Sequence, residues 1–370
     1  MSPPRAGLPA RVDVDALPAP AAVLAVDGGN SKTDLALVGP QGDVLAAVRG
    51  PTVSHQQVGL TRGLARLEAL AVRAARRARI DPARRPLAAI GSYCLAGVDS
   101  RADVQQHERG LAGLRLAERD QVRGDVEAAL RAGTARGWGV AVVCGAGINA
   151  LGRGPDGRRA PFLALGQISG DWGGGEDLGL AALGAAVRAR DGRGPRTTLE
   201  RSVPAHFGRR RPADVSWAIE RREFEEGRVA ELAPLVYRAA EAGDRVADAI
   251  VARLADEVAL MAIAALRRAR LTRGEVDVVL AGGLLQGAPA GLLARVRDAV
   301  GEVAPAAHVV VLDAPPVLGA VLLGFDALGW GDRAGIETRL RAGLAGRSAF
   351  ASAVASANVS PRRRAASPRR

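Results

Sequence analysis

The chain of 370 residues has few side chains that could cross-link it or hold a metal. Its two cysteines, Cys94 and Cys144, stand far apart and show no CxxC or Cys/His spacing. This argues against a disulfide framework and against a zinc site. Aromatic residues make up only 3% of the chain and hydrophobic residues 48%, so its cores must be built from alanine, valine and leucine.

Long apolar runs are missing as well. No uninterrupted apolar run approaches the roughly 18 residues that a membrane-spanning helix needs. The N-terminal stretch MSPPRAGLPARVDVDALPAP lacks the apolar centre of a signal peptide. We therefore expect a soluble, cytoplasmic protein without a membrane partner. The chain is too long for a single hydrophobic core of ordinary size, and its length suits two domains.

Lysine is almost absent, since Lys32 is the only one and arginine supplies the other cations. The formal net charge of +12 raises the question of nucleic-acid binding. Five of these charges lie in the last ten residues, PRRRAASPRR, and the others are scattered among acidic residues. This distribution favours solvated faces and a basic tail, so a nucleic-acid partner is not expected.

Strand-like and helix-like segments alternate along the chain, which is typical of an α/β protein. The predicted strands are Ala22–Val26, Leu35–Val38, Leu87–Leu95, Val140–Val143, Val276–Ala281 and Val309–Leu312, and the predicted long helices are Gln56–Ile80, Asp244–Leu271 and Val317–Leu328. We expect disordered tails at 1–20 and 347–370, domains at 21–122 and 123–330, and a C-terminal helix at 331–346. The last helix of the second domain could pack back on the first.

An internal repeat predicts the architecture. VLAVDGGNSKTDLALVGPQGDVLAAV begins at Val23, and VAVVCGAGINALGRGPDGRRAPFLAL begins at Val140. Each copy has an apolar strand, a glycine-rich turn, a second strand, a G-P-x-G turn and a third apolar stretch. Proline and glycine at these positions suit a tight turn. The repeat indicates two related halves whose glycine-rich hairpins face each other across a cleft.

The first hairpin, DGGNSKTD from Asp27 to Asp34, carries the strongest chemical signal. Glycines let backbone N–H groups approach phosphate oxygens, while the polar side chains that follow add donors and Lys32 adds a cation. Asp27 ends a buried strand and could hold hydrated Mg²⁺, which needs only one or two carboxylates. A plain β-hairpin with a polar turn is the simpler alternative. The loop is neither a Walker A motif nor a dinucleotide fingerprint, because strand sequence follows the glycines.

This hairpin resembles the first phosphate loop of the actin-like ATPases, the superfamily of hexokinases, heat-shock chaperone ATPases and actin. Within that superfamily the chain is similar to the N-acetylglucosamine kinase group, classed with the BadF/BadG/BcrA/BcrD-type ATPases. The resemblance runs from about Val23 to Leu328. It implies a duplicated ribonuclease H-like α/β fold with a nucleotide cleft, ATP and Mg²⁺ as cofactors, and a small-molecule sugar as partner. Homodimers are usual among such kinases.

The resemblance also implies how the nucleotide is held. The phosphate- and nucleotide-binding residues would be Gly28, Gly29, Asn30, Ser31, Lys32 and Thr33 in the first turn, Gly145, Ala146, Gly147 and Asn149 in the second, and Gly282 and Gly283 in the adenosine segment. Asp27 and Asp125 would hold Mg²⁺ through water. Many relatives carry G-T-G-S-N in the second turn, so Ala146 and Ile148 remove two hydroxyl groups here.

For the sugar, the resemblance makes Asp99 the catalytic base, which would orient the attacking hydroxyl and accept its proton. On the residues alone, Val-Asp-Ser-Arg is also a good helix N-cap. Ser54 and His55 resemble a sugar-contacting S-T-N-H stretch, although a surface-loop histidine is the simpler interpretation. Gly170 and Asp171 match a G-D-E-G-S segment at the sugar site, where the alternative is a flexible glycine-rich loop.

Together these features predict ATP-dependent phosphorylation of an amino sugar, N-acetylglucosamine or glucosamine. Two alternatives stay open from the sequence. One is an ATPase that activates a 2-hydroxyacyl-CoA dehydratase-like system, which would need accessible cysteines for an iron–sulfur cluster. The other is a sugar-sensing protein that keeps the fold without turnover.

Overall fold

The computed structural model describes residues 19–330 and 335–345. Most of the two expected tails, namely residues 1–18 and 347–370, lies outside these described residues. The same holds for residues 331–334 and 346 of the expected C-terminal helix.

Two five-stranded sheets form the framework. The first contains β1 (Ala21–Gly28), β2 (Lys32–Val38), β3 (Val44–Pro51), β4 (Ala88–Leu95) and β5 (Ala117–Gly124). Its strand order is β3-β2-β1-β4-β5, with β1, β2 and β3 antiparallel in turn and β4 parallel to both neighbours.

The second sheet contains β6 (Gly139–Cys144), β7 (Ile148–Arg153), β8 (Arg159–Pro161), β9 (Val276–Ala281) and β10 (Ala307–Val311). Its order is β10-β9-β6-β7-β8, again with three antiparallel strands followed by parallel ones. Strand for strand, this is the order and sense of the first sheet. The predicted duplication of a ribonuclease H-like unit is therefore confirmed.

The two G-P-x-G turns are also alike in detail. In the first, the Gly42 amide donates to the Gly39 carbonyl at 3.1 Å, and in the second the Gly157 amide donates to the Gly154 carbonyl at 3.1 Å. Gly42 and Gly157 share a φ of 82°. This left-handed conformation explains why both copies place glycine at the last position of the turn.

Thirteen helices lie in the described part of the chain. They are α1 (His55–Val58), α2 (Leu60–Arg77), α3 (Arg101–Leu114), α4 (Asp125–Gly133), α5 (Gly175–Asp191), α6 (Leu199–His206), α7 (Pro212–Glu220), α8 (Ala233–Glu241), α9 (Arg245–Arg268), α10 (Gly283–Gln286), α11 (Ala290–Val303), α12 (Val317–Ala327) and α13 (Ile336–Ala345). Short 3-10 turns span Gly166–Ser169 and Glu226–Leu232. None of the described helices is long and apolar enough to cross a membrane.

Two local expectations need correction. The helix predicted over Gln56–Ile80 is divided into α1 and α2, because Gly59 between them has a φ of 77° that no helix interior allows. The sequence also gives no sign of β5, whose residues AERDQVRG are mostly polar. As an edge strand with exposed positions, β5 needs no apolar run.

Helices α5 to α8 form an insertion between β8 and β9. Together with α9 they build the largest hydrophobic cluster of the described residues, packed on one face of the second sheet. Apolar side chains such as Leu178, Val203, Val236 and Leu254 fill this cluster. The insertion makes the second half much larger than the first.

Helices α4 and α12 interlock the two halves. Helix α4 follows the last strand of the first sheet but packs on β6 and β9 of the second, and α12 follows the second sheet but packs on β1 and β4 of the first. Where the two helices cross, a Cβ atom on Gly319 would lie only 1.8 Å from the Ala128 carbonyl oxygen. Nearby, Arg131 donates to both Asp326 carboxylate oxygens, at 2.8 and 3.2 Å.

We predict that Gly319→Ala destabilises the protein by at least about 2 kcal/mol, because the new methyl group overpacks a backbone contact between two helices. The free energy of unfolding in urea measures this loss. Gly301→Ala is the matched control, since a Cβ there meets nothing within 4 Å and alanine raises helix propensity by about 0.5–1 kcal/mol. Equal stability of the two variants would contradict a close helix crossing.

Candidate active site

The carboxyl ends of β1, β4, β6 and β9 gather most of the predicted site residues. Asp27 lies near the end of β1, Asp99 follows β4, and Gly282 follows β9. The two glycine-rich turns, residues 29–31 and 145–147, connect β1 to β2 and β6 to β7. Ligands of α/β proteins commonly bind at this edge, where several loops converge on one place.

The first turn is tied to the segment after β3. The Thr52 hydroxyl donates to the Gly29 carbonyl at 2.8 Å, and the Gly29 amide donates to the Lys32 carbonyl at 2.9 Å. Ser31 and Lys32 are exposed. The Asn30 side-chain oxygen is buried and has no hydrogen-bond partner among the described residues. The turn therefore presents polar groups that the protein itself does not satisfy.

Thr33 and Asp34, at the other end of the first hairpin, are buried. The Thr33 hydroxyl accepts a hydrogen bond from the Val53 amide at 3.1 Å, so this side chain supports the segment that carries Ser54. Its burial argues against the expected phosphate contact. The Asp34 carboxylate receives a bidentate pair of hydrogen bonds from Arg49 at 2.6 and 2.8 Å. No sequence spacing indicated the Arg49–Asp34 pair, which forms across neighbouring strands.

Asp27 and Asp125 are half-buried carboxylates, and neither forms an ion pair with a cation in the part of the chain that the structure describes. The pKa of Asp27 is raised well above its usual value by burial and by the nearby charges of Asp34 and Asp125, while Lys32 and Arg49 oppose this shift. Asp125 begins α4, and burial together with the charge of Asp99 raises its pKa to about 6. Backbone N–H groups at the start of α4 oppose this second shift.

Asp99 does not cap the helix that follows it. The N-cap of α3 is Ser100, whose side chain exchanges hydrogen bonds with Asp103 in a capping box. The helix-cap alternative for Asp99 is therefore wrong. Burial raises the pKa of Asp99, and a hydrogen bond from Asn149 partly offsets that rise.

Asn149 forms a contact that the sequence did not predict. It was expected to bind phosphate, but its Nδ2 group donates to Asp99 Oδ1 at 3.1 Å, and its Oδ1 accepts from the Ala150 amide at 2.7 Å. The residue belongs to β7 of the second sheet, whereas Asp99 belongs to the first half. This hydrogen bond joins the two halves beside the predicted base.

A cavity of about 650 Å³ opens next to Asp99 and Asn149. The charged residues that line it with Asp99 are Arg101, Glu108, Arg123, Glu127 and Arg159. Glu127 is buried and accepts from Arg123 at 2.9 Å and from Arg159 at 2.5 Å. Sequence reasoning missed this charged lining, because its members come from α3, β5, α4 and β8 without any regular spacing.

Ser54 and His55 stand at the start of α1 and are not among the residues that line this cavity. The Ser54 hydroxyl and His55 Nδ1 are buried, and neither has a hydrogen-bond partner in residues 19–330 and 335–345. The His55 ring packs edge-on against His107, with 5.0 Å between the ring centroids. His55 is also close enough to Asp99 to lower the pKa of that carboxyl. His55 is thus not the surface-loop histidine of the simpler interpretation.

Three glycine-rich segments meet at the second turn. The Gly175 amide donates to the Gly145 carbonyl at 2.8 Å, and the Glu176 amide donates to the Ala146 carbonyl at 3.0 Å. A Cβ on Gly282 would lie 2.2 Å from the Cys144 carbonyl oxygen, so only glycine fits there. Around Gly145, Gly147 and Gly283, in contrast, a Cβ would meet open space.

Gly170 and Asp171 make only local contacts in the described structure. The Asp171 carboxylate accepts from the Ser169 hydroxyl, and its amide donates to the Gly166 carbonyl at 3.0 Å. Gly170 ends the 3-10 turn with a φ of 80°. Among the described residues no contact joins either of them to Asp99, so their role at the sugar remains a prediction.

The chain is similar to kinases of amino sugars. The model of the BadF/BadG/BcrA/BcrD ATPase family matches residues 24–324. N-acetyl-D-glucosamine kinase of Dictyostelium discoideum is 26% identical over 317 residues, which cover 82% of this chain and 98% of that relative. N-acetylmuramic acid/N-acetylglucosamine kinase of Clostridium acetobutylicum is 30% identical over 190 residues, covering 51% and 62% of the two chains.

Solved structures agree with this similarity. A protein of Chromobacterium violaceum assigned as an N-acetylglucosamine kinase superposes with a TM-score of 0.65 at 26% identity, covering 82% of this chain and 98% of that one. A Porphyromonas gingivalis protein with the same assignment superposes with a TM-score of 0.59 at 18% identity, with coverage of 82% and 98%. Because the Porphyromonas gingivalis protein is only 18% identical, its similarity supports the fold alone.

We predict that Asp125→Asn stabilises the metal-free protein at pH 7.5 by up to about 3 kcal/mol. The folded-state pKa of Asp125, about 6, lies above the ordinary 3.8. Folding therefore binds a proton, and stability falls as the pH rises through this interval. Urea unfolding in EDTA should show a gain at pH 7.5 that shrinks towards pH 4.5.

Asp298→Asn removes the same charge from an exposed position of α11 and serves as the control. It should show no comparable dependence on pH. A gain for Asp125→Asn that is equal at both pH values would contradict the burial argument.

Proposed function

The chain belongs to the BadF/BadG/BcrA/BcrD ATPase family, and on that premise we propose that it transfers the γ-phosphoryl group of ATP to a hydroxyl of an amino sugar. N-acetylglucosamine or glucosamine is the proposed substrate. The relatives named above support this choice, since the curated ones are kinases of N-acetylated amino sugars. The observation that carries the proposal is the Asp99 carboxylate beside an open cavity, held from the opposite half by Asn149.

Asp99 is suited to act as the catalytic base. A sugar hydroxyl is a poor nucleophile until its proton has an acceptor within hydrogen-bond distance. One carboxylate oxygen of Asp99 is held by the Asn149 amide, which leaves the other to receive the hydroxyl. The amide thereby fixes the orientation of the base, and orientation accounts for much of the rate gain in phosphoryl transfer.

The nucleotide phosphates would lie between the two glycine-rich turns. The Gly145 amide already donates to the Gly147 carbonyl at 2.9 Å, but a Cβ on Gly147 would meet open space, so a phosphate oxygen could approach the backbone there. In the first turn, Asn30, Ser31 and Lys32 would supply further donors and the cation. Gly282 and Gly283 would let the chain pass close to the adenosine.

Asp27 and Asp125 fit a hydrated Mg²⁺. Burial and the negative charge of a neighbouring acid raise the pKa of each carboxylate. A bound divalent cation would offset the repulsion between these negative charges. In the described ranges no group of three or more His, Cys, Asp or Glu side chains could hold a metal. Mg²⁺ does not need such a group, because it keeps most of its water ligands. When bound, it would supply positive charge beside the transferring phosphoryl oxygens.

The sugar would occupy the cavity beside Asp99. The unsatisfied polar atoms of Ser54 and His55 are suitable hydrogen-bond partners for sugar hydroxyls, because a buried polar atom without a partner is costly. Gly170 and Asp171 would complete the sugar site from the second half. We also propose that the reaction takes place in the cytoplasm, where ATP is available. The expected homodimer remains a prediction.

The electron-transfer alternative is less well supported. It requires cysteines that can reach an iron–sulfur cluster, but Cys94 and Cys144 are both fully buried. Burial raises the pKa of the Cys144 thiol to about 12 and that of Cys94 well above its usual value. A buried, protonated thiol is a poor cluster ligand.

We predict that the protein releases ADP in a sugar-dependent manner and that Asp99→Asn lowers this rate by about 10²- to 10⁴-fold, the usual effect of removing a general base. A coupled assay across N-acetylglucosamine, glucosamine, N-acetylmannosamine, N-acetylmuramic acid and glucose measures it. Binding of ATP by Asp99→Asn should remain, as calorimetry with Mg²⁺ would show.

Asp298→Asn should keep wild-type turnover, because it changes a carboxylate on an exposed helix face. Sugar-dependent ADP release that is unchanged in Asp99→Asn would remove this residue from the mechanism. If ATP binds but none of the sugars stimulates release, the sensing alternative gains support.

We predict that Asn149→Asp moves the acidic limb of the pH–rate profile to higher pH. A second carboxylate beside Asp99 raises the pKa of the base by like-charge repulsion, and a base must be deprotonated to act. Profiles of kcat across pH 5 to 9, with ATP saturating, would measure the shift. An unchanged acidic limb with a raised KM for ATP would instead support the original phosphate-binding role.

A further inference from the structure

A large cavity in the described part of the chain lies away from the predicted nucleotide site. It is a groove of about 1860 Å³ formed by α5, α6, the loop before α6 and the first half of α9. Neither Asp99 nor either phosphate turn lines it. We call it the arginine groove because of the residues that line it.

Positive charge dominates this groove. Its charged lining consists of five arginines and two acids, namely Arg188, Arg196, Arg201, Arg245, Arg253, Glu200 and Asp244. Both acids already have partners: Glu200 accepts from Arg190 at 3.2 Å, and Asp244 accepts from threonines and from the start of α9. The groove thus presents more cationic than anionic groups to a ligand.

Four of the five arginines that line the groove form no ion pair within residues 19–330 and 335–345, and one of them, Arg188, donates to the Arg193 carbonyl at 2.9 Å. The other three, Arg196, Arg201 and Arg245, have no carboxylate within 4.0 Å in the described residues, whereas Arg190 and Arg193 close by form ion pairs. The three side chains are exposed. They come from the loop before α6, from α6 and from the start of α9, and all three line the groove.

The walls are held in place by Asp244. One of its carboxylate oxygens accepts from the Thr197 hydroxyl at 2.7 Å and from the Thr198 hydroxyl and amide at 2.6 Å. The other caps α9 through the amides of Val246 and Ala247 at 3.0 and 3.2 Å. Although burial opposes the shift, these hydrogen bonds lower the pKa of Asp244 to about 2. The loop that carries Arg196 is therefore fixed to the helix that carries Arg245.

One end of the groove lies next to Asp171, one of the residues predicted to contact the sugar. Trp172 lines the groove and carries the Arg253 guanidinium 4.0 Å from its ring centroid. It directly follows Asp171 and precedes the Gly173–Gly175 segment, whose Gly175 amide donates to the Gly145 carbonyl of the second turn at 2.8 Å. A ligand in the groove would change the surroundings of Trp172.

We propose that the arginine groove is a second ligand site, which binds a small molecule carrying two or more phosphate or carboxylate groups. Several arginines along one groove match a ligand with several anionic groups, since each arginine can donate two parallel hydrogen bonds to one of them. The site does not depend on the identity of the substrate at Asp99.

Fructose 1,6-bisphosphate serves as the probe, titrated by calorimetry at about 0.15 M salt with a non-hydrolysable ATP analogue and Mg²⁺ saturating. We expect one equivalent to bind, with quenching of tryptophan fluorescence that disappears in Trp172→Phe. The double variant Arg201→Gln/Arg245→Gln should bind at least 10-fold more weakly. Both residues are exposed, so this variant should fold normally.

Arg210→Gln is the matched control, because Arg210 is exposed on the same helical insertion but does not line the groove. It should bind the probe like the wild type. Equal affinity of all three proteins, an equal loss in the control, or binding of a short oligonucleotide in place of the bisphosphate would overturn the proposal. If the chain fails to bind ATP but still binds the probe in the groove, the proposed kinase function falls while this site stands.

Discussion

The close crossing of α4 and α12 is the contact on which the arrangement of the two halves depends. Each helix follows the sheet of one half and packs on the sheet of the other, and Gly319 lets their backbones touch near Ala128. Asp125 begins α4 directly after β5, so the crossing places this carboxylate between the halves. A wider crossing would separate Asp99 from Asn149, because these residues belong to different sheets.

The carboxylates of the site fall into two groups that differ in their partners. Asp34 and Glu127 are buried with arginines, which satisfy their charge. Asp27, Asp99 and Asp125 have no such partner among residues 19–330 and 335–345, and burial raises the pKa of all three. A buried charge without a partner destabilises a fold. Such charges are common at functional sites, where a bound cation or a proton transfer compensates them. The stability lost at these positions is therefore an argument for function.

Several candidate site residues could be identified in the sequence because their signal is local. DGGNSKTD after an apolar strand, the two G-P-x-G turns and the Leu-Ala-Gly-Gly segment each occupy consecutive positions. The contacts that corrected the prediction all join residues distant in the chain. Thr33 supports Val53, Asp34 pairs with Arg49, and Asn149 reaches Asp99. No spacing rule identifies such pairs, since they arise from strand register and from the packing of one half on the other.

The sequence alone determined the alternation of strands and helices, the duplication and the two glycine-rich turns, because hydrophobic period and glycine placement act within a few residues. It also determined that the cores contain little aromatic side chain. Tertiary structure decided which polar groups are satisfied and which are left for a ligand, and it assembled the arginine groove from three separate elements. The physical reason is that burial, and with it the cost of an unpaired charge, depends on neighbours that only folding brings together.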